Sequence, residues 1–129
     1  MPVRDPSSQL EVFGPIFEDS SAVYKATVVD ENGDPIIGLS SIKASLFDRD
    51  TGTIINSRKS QSVLEVNGGH FDIDTSIFTL HLTPDDNYIL NQSKEEEDHI
   101  LRFDYTYNSG QSRAHHAILI RVRNLQKLG

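Results

Sequence analysis

The sequence predicts an all-β protein: a single antiparallel β-sandwich of about seven or eight strands. Three observations lead there. Runs rich in Val, Ile, Thr and Tyr alternate apolar and polar residues with a period of two. Clusters of Gly, Asn, Asp and Pro divide these runs at short intervals. No segment sustains the 3.6-residue period of an amphipathic helix. A chain of 129 residues fits one domain. The expected organisation is an arm over 1–9, a sandwich over 10–125 and a short tail over 126–129.

The elements follow in order. Residues 1–9 (MPVRDPSSQ) mix Pro, Ser and charge without periodicity and read as a flexible arm. Residues 10–18 are apolar but interrupted by Gly14-Pro15, which fits a kinked edge strand, because Pro donates nothing to a ladder. Residues 21–29 read as a strand with Ala22, Tyr24, Ala26 and Val28 on one face. The DENGDP segment, 30–35, is a turn centred on Asn32-Gly33, and a short apolar run, 36–39, leads out of it. Residues 42–48 place Ile42, Ala44 and Leu46 on one face, and DRDTG turns the chain toward Thr53-Ile54-Ile55, so 42–56 reads as a hairpin. Residues 57–70 are the least periodic stretch, ending at Asn67-Gly68-Gly69.

Further along, Phe78, Leu80 and Leu82 share a face, and Thr83 to Asn87 form a turn with Pro84 placed for a type I geometry. Residues 88–98 read as a solvated polar connection. Residues 99–107 give the clearest strand, with Leu101, Phe103, Tyr105 and Tyr107 on one face. Asn108 to Gln111 turn into a last strand, 113–123, where Ala114, His116, Ile118, Ile120 and Val122 align.

Composition narrows the function. With no cysteine there is no disulfide framework, no thiolate metal site and no Cys nucleophile, and with no Trp the core rests on aliphatic, Phe and Tyr packing. A net charge of −7 argues against a general nucleic-acid binder that works by counterion release. No run of 18 apolar residues suggests a membrane span, and Met1–Leu10 holds no apolar signal core, so the expectation is a soluble protein of a reducing cytosol. The charge is uneven. Residues 1–104 contain all nineteen acids and eight of the twelve bases, a net −11, whereas the last 25 residues carry +4.

Motifs for chemistry are sparse. No G-x-S-x-G elbow and no Walker-type phosphate loop occur. His115 and His116 are adjacent and would point to opposite faces of a strand; His99 with either of them is the pair nearest to a metal site, and ordinary strand histidines explain them better. The acidic loops DENGD and DRDTG lack the twelve-residue EF-hand pattern and read as Asx turns. The expectation is therefore a protein that is not an enzyme, with no cofactor and no metal.

Several motifs together carry a resemblance. Ile55-Asn56 with Arg58 precedes Gln61 and Val63-Leu64; Leu82-Thr83 with Asp86-Asn87 follows; then come the strand with His99, Leu101, Phe103, Tyr105 and Tyr107, and a Val122, Asn124-Leu125 ending. In this order they resemble small tailed-bacteriophage virion proteins with immunoglobulin-like β-sandwich domains, over about 45–125. The stretch VVDENGDPIIG also looks like the opening of many Ig-like and transthyretin-like sandwiches. The resemblance implies a structural protein of the virion at the neck, the head–tail connection. Alternatives are a capsid cement or decoration protein of the same fold, and a receptor- or carbohydrate-binding module. It implies assembly in the host cytoplasm, with portal, connector, tail or capsid proteins as partners, and a homo-oligomer or ring in the particle. No nucleic acid or membrane is implied.

Three surfaces are the candidates for such contacts. The acidic run Glu95, Glu96, Glu97 and Asp98 would meet a basic neighbour. The terminal strand with Arg113, Arg121 and Arg123 would do the converse, joining copies head to tail. Val63 and Leu64, apolar amid polar residues, would form a docking loop.

Overall fold

The computed structural model describes residues 10–125; the expected arm and tail lie outside them. Eight strands form: β1 Glu11–Phe17, β2 Ala22–Thr27, β3 Leu39–Asp48, β4 Gln61–Ser62, β5 Gly69–Asp72, β6 Ile77–Leu82, β7 Glu96–Tyr107 and β8 Ser112–Arg123. A 3-10 turn, Pro84–Asn87, links β6 to the loop before β7. The strands divide into two sheets, ordered β1-β8-β7-β3-β4 and β2-β6-β5. Lettered from B at β2, the sheets read G-F-C-C′ and B-E-D, the immunoglobulin arrangement. Every pairing is antiparallel except that of β1, which lies parallel to β8, with Glu11 opposite Ile118 and Phe17 opposite Arg123. No helix among the described residues is long and apolar enough to cross a membrane.

The two-residue alternation sets which faces meet. Tyr24 from β2, Ile42, Ala44 and Leu46 from β3, Phe78, Leu80 and Leu82 from β6, Leu101 and Phe103 from β7, and Ile118, Ile120 and Val122 from β8 form the core. Each large side chain buried there contributes roughly 1.5–3 kcal/mol of transfer free energy. Tyr24 and Phe103 stack at 5.8 Å, and Phe78 meets Phe103 edge-on at 5.7 Å, so the aromatic rings bridge the sheets where other sandwiches place a Trp and a disulfide.

Two expectations change. The 42–56 hairpin is shortened to its tip: the chain turns back at Asp48–Thr53, where the Asp48 N–H bonds the Thr53 carbonyl, but 53–56 contributes an isolated bridge, Phe47–Ile54, and no strand, while β3 pairs with β7 on one side and β4 on the other. Ile55 is drawn inward, its N–H bonded to the Leu46 carbonyl, and its side chain joins the core. Secondly, the acidic run is not all loop, because β7 begins at Glu96.

Gly69 makes the crossing between sheets possible. A Cβ there would sit 1.7 Å from the Val63 carbonyl oxygen, so only glycine lets β5 pass the end of β4.

Candidate functional site

Five of the residues in the sequence motifs, Asn56, Arg58, Gln61, Thr83 and Asp86, share one polar network centred on a buried ion pair. Arg58 donates from Nε to Asp86 Oδ1 at 2.7 Å and from Nη2 to Asp86 Oδ2 at 3.0 Å, a two-pronged contact with both side chains almost wholly buried. Asn56 donates to Asp86 Oδ1 at 2.8 Å, and the Thr83 N–H to Oδ2 at 2.7 Å. Arg58 also reaches Gln61 and the Asn67 carbonyl. Burial alone would raise the Asp86 carboxyl; the bonds from Arg58, Asn56 and Thr83 override it and hold the group below its usual range. Asn87 donates to the Ser20 carbonyl, and Asn124 to the Gln92 and Lys94 carbonyls. These motif residues fasten loops to the sandwich, which is a structural role.

The charged candidates face one another. On the outer face of the five-stranded sheet, Glu96 stands opposite Arg123 and Asp98 opposite Arg121. Arg121 meets Asp98 at 3.0 Å and Glu96 at 3.2 Å, Arg123 meets Glu96 at 3.1 Å, and Arg49 extends the row to Asp98 at 3.5 Å. The Asp98 carboxylate, with Glu96, raises the Arg121 pKa further. The acidic run and the basic strand, expected to meet charges on other molecules, thus pair within the chain across β7 and β8. Antiparallel neighbours place opposite charges about 5 Å apart, closer than any partner can hold them before docking. Glu95 is exposed in the preceding loop, and Arg113 is exposed opposite Thr106 at the far end of the ladder.

Two candidates are not on the surface. Val63 has 0% exposure and its N–H bonds the Ile42 carbonyl, so it is a core residue, and Leu64 is half-buried against the same core. The expected docking loop is corrected accordingly: the segment is apolar at 63–64 because it plugs the sandwich. Glu97 is also buried, at 3% exposure, and is bonded to His99 at 2.6 Å.

The histidine pairs considered for a metal do not meet. His99 stands opposite Ile120, whereas His115 and His116 stand opposite Asp104 and Phe103, further along the hairpin. His115 pairs with Asp104 at 2.5 Å. The acidic loops are Asx turns: Asp30 Oδ1 accepts the N–H groups of Asn32 and Asp34, and Asp48 Oδ2 accepts that of Thr51.

The open side of the sandwich holds a surface that sequence reading missed. β1 pairs with β8 rather than with β2, so among the described residues β2 has a hydrogen-bonded neighbour on one side only. Between that edge and β8 lies a cleft of about 370 Å³. Phe78 and Phe103 form its floor, and Glu11, Tyr105 and His116 its rim. The Tyr24 hydroxyl lies 3.2 Å from His116 Nε2, and the Tyr105 hydroxyl donates to the Val29 carbonyl at 3.1 Å. Burial, with Glu11 adding to it, pushes the Tyr24 hydroxyl up to about 12, so at neutral pH it is a neutral hydrogen-bonding group rather than a base. The cleft suits an apolar side chain with one polar handle.

No protein-family model matches the chain, and no curated protein matches it.

Proposed function

We propose that this protein is a non-enzymatic structural component of a tailed-phage virion, at the head–tail connection, and that it holds its neighbour by accepting an extended segment along β2. The motif order described above supports the virion reading. The single observation that carries the mode of contact is the edge of β2, unpaired among the described residues, alongside the cleft. An extended peptide from another virion protein completes the three-stranded sheet with main-chain hydrogen bonds, and an alternate side chain fills the cleft over Phe78 and Phe103.

The test is hydrogen–deuterium exchange of the free protein against the protein within purified particles. Amides of 22–27 should gain at least tenfold protection on assembly, while those in the centre of β7 stay unchanged. Absence of the protein from purified particles, or equal exchange at β2 in both states, overturns the proposal.

A further inference from the structure

The end of the sandwich opposite the cleft carries an arrangement that the proposed contact does not use. Asp48, Glu97 and His99 lie on the core-facing sides of β3 and β7, at 2%, 3% and 0% exposure. Asp48 stands directly opposite His99, and Glu97 is two residues before His99 on the same face. Their ligating atoms lie within 4.8 Å of one another.

The hydrogen bonds fix the chemistry of each group. Glu97 Oε1 accepts the Leu90 N–H at 2.9 Å and contacts His99 Nε2 at 2.6 Å, while Oε2 accepts the Asn91 N–H at 3.1 Å. With Nε2 engaged by Glu97, Nδ1 is the ring nitrogen of His99 left over for a metal. Asp48 Oδ2 accepts the N–H and hydroxyl of Thr51. Two atoms are left, Asp48 Oδ1 and His99 Nδ1, both fully buried and with no hydrogen-bond partner among the described residues. Neither is hydrogen-bonded to the other.

The charge is equally unbalanced. Two buried carboxylates share this end of the core, and neither is paired with Lys or Arg among the described residues; the buried arginine, Arg58, is engaged by Asp86. Carboxyl groups buried this deeply are usually matched by a cation, a proton or a metal. A divalent cation answers both deficits together.

We propose that Asp48 and His99 are ligands of a divalent first-row transition metal, with Glu97 as the carboxylate that orients the His99 ring from its far side. A carboxylate bonded to one imidazole nitrogen while the other faces the metal is a recurrent arrangement. The nitrogen ligand disfavours Ca²⁺ and Mg²⁺, which take oxygen, and the absence of sulfur disfavours Cu⁺; Zn²⁺ suits a mixed nitrogen and carboxylate set. Two ligand atoms on tetrahedral Zn²⁺ sit roughly 3.4 Å apart at ordinary bond lengths, so the cluster closes on the ion with small side-chain movements.

The experiment uses the full-length, tag-free chain, first stripped with a chelator. Zn²⁺ alone is titrated by calorimetry and followed by thermal melting. One ion per chain and a melting temperature raised by several degrees are expected. Asp48→Asn is the main variant: its amide donates to His99 Nδ1, so the fold is kept, shown by an unchanged circular dichroism spectrum, while the affinity falls by at least ~10-fold. Glu97→Gln should weaken Zn²⁺ binding ~10–100-fold, with His99 exchanging its ring proton faster by nitrogen-detected NMR. A Zn²⁺ response that survives Asp48→Asn means binding by surface histidines and overturns the proposal. So does a missing response, or an NMR spectrum showing His99 Nδ1 protonated at neutral pH in the presence of Zn²⁺, which would assign the gap to a proton shared with Asp48.

Discussion

Replacing Asp86 by Asn tests the claim that the Arg58–Asp86 pair locks the sandwich. The two side chains are 5% and 0% exposed, so water cannot solvate the guanidinium once its partner loses charge. Two charge-assisted bonds, at 2.7 and 3.0 Å, are weakened together. Each is worth about 1.5–3 kcal/mol, and breaking a buried pair from one side typically costs ~3–5 kcal/mol. Against a total stability of about 5–15 kcal/mol that is a third or more. For a chain of this size the melting temperature should fall by roughly 10–20 °C. Urea unfolding followed by far-ultraviolet circular dichroism measures it, since the chain has no Trp to report. Arg58→Met should cost a similar amount. The double variant should cost less than the sum by at least ~1.5 kcal/mol, because the second change removes the charge stranded by the first. The Asp86 carboxyl is held below its usual value, so its stabilisation is complete above the unfolded value near ~3.9 and is lost as pH falls through the folded one. The wild type and Asp86→Asn should therefore converge in strongly acidic solution. Single variants that each cost under ~1 kcal/mol, or strict additivity, would refute the reasoning.

Three other outcomes follow from the same geometry. Gly69→Ala should abolish the native crossing at Val63, because its Cβ overlaps the carbonyl; circular dichroism and melting would show loss of the cooperative transition, whereas Gly38→Ala, with open space around it and no left-handed backbone, should melt within a few degrees of wild type. Arg121→Glu places like charges beside Glu96 and Asp98 but at a half-exposed surface, so urea unfolding should show only a small loss of stability, smaller still in high salt. The exposed His70 bonds Glu65 at 2.7 Å, which raises the imidazole pKa and, with the Phe71 N–H, lowers that of Glu65. Whatever the pair contributes is greatest between the two values and fades as pH rises through that of His70 or falls through that of Glu65. An NMR titration should find the His70 midpoint above that of a free imidazole, moving down in Glu65→Gln.

Much of this architecture can be read in the chain because period-two alternation survives in β2, β3, β6, β7 and β8, each with one face in the core. The turns at Asn32-Gly33, Pro84–Asn87 and Asn108–Gln111 carry local chemistry that needs no tertiary help. What stayed hidden depends on distant partners. The two-residue β4 has no periodicity of its own, and Val63 looks like an exposed apolar residue until Ile42 and Gly69 are placed beside it. The parallel docking of β1 on β8 is a choice between two sheets that local sequence does not encode. The buried triad was within reach: extending Leu101 and Phe103 backward by twos gives His99 and Glu97, and extending Ile42, Ala44 and Leu46 forward gives Asp48. Polarity made these residues look like surface, although the alternation placed them inside.

The pairing of the first strand with the last governs the order in which the molecule can be made. Glu11 finds Ile118 only after more than a hundred intervening residues have left the ribosome. Until then β1 has no ladder, and β8's outer edge does not exist. The three-stranded sheet, whose pairings span 22–82, can register earlier. Closure of the five-stranded sheet is thus a late, long-range event of the slow kind. During synthesis the nascent chain carries an apolar segment, Val12, Phe13, Ile16 and Phe17, that waits for its strand and is the stretch most exposed to capture by chaperones or by neighbouring nascent chains.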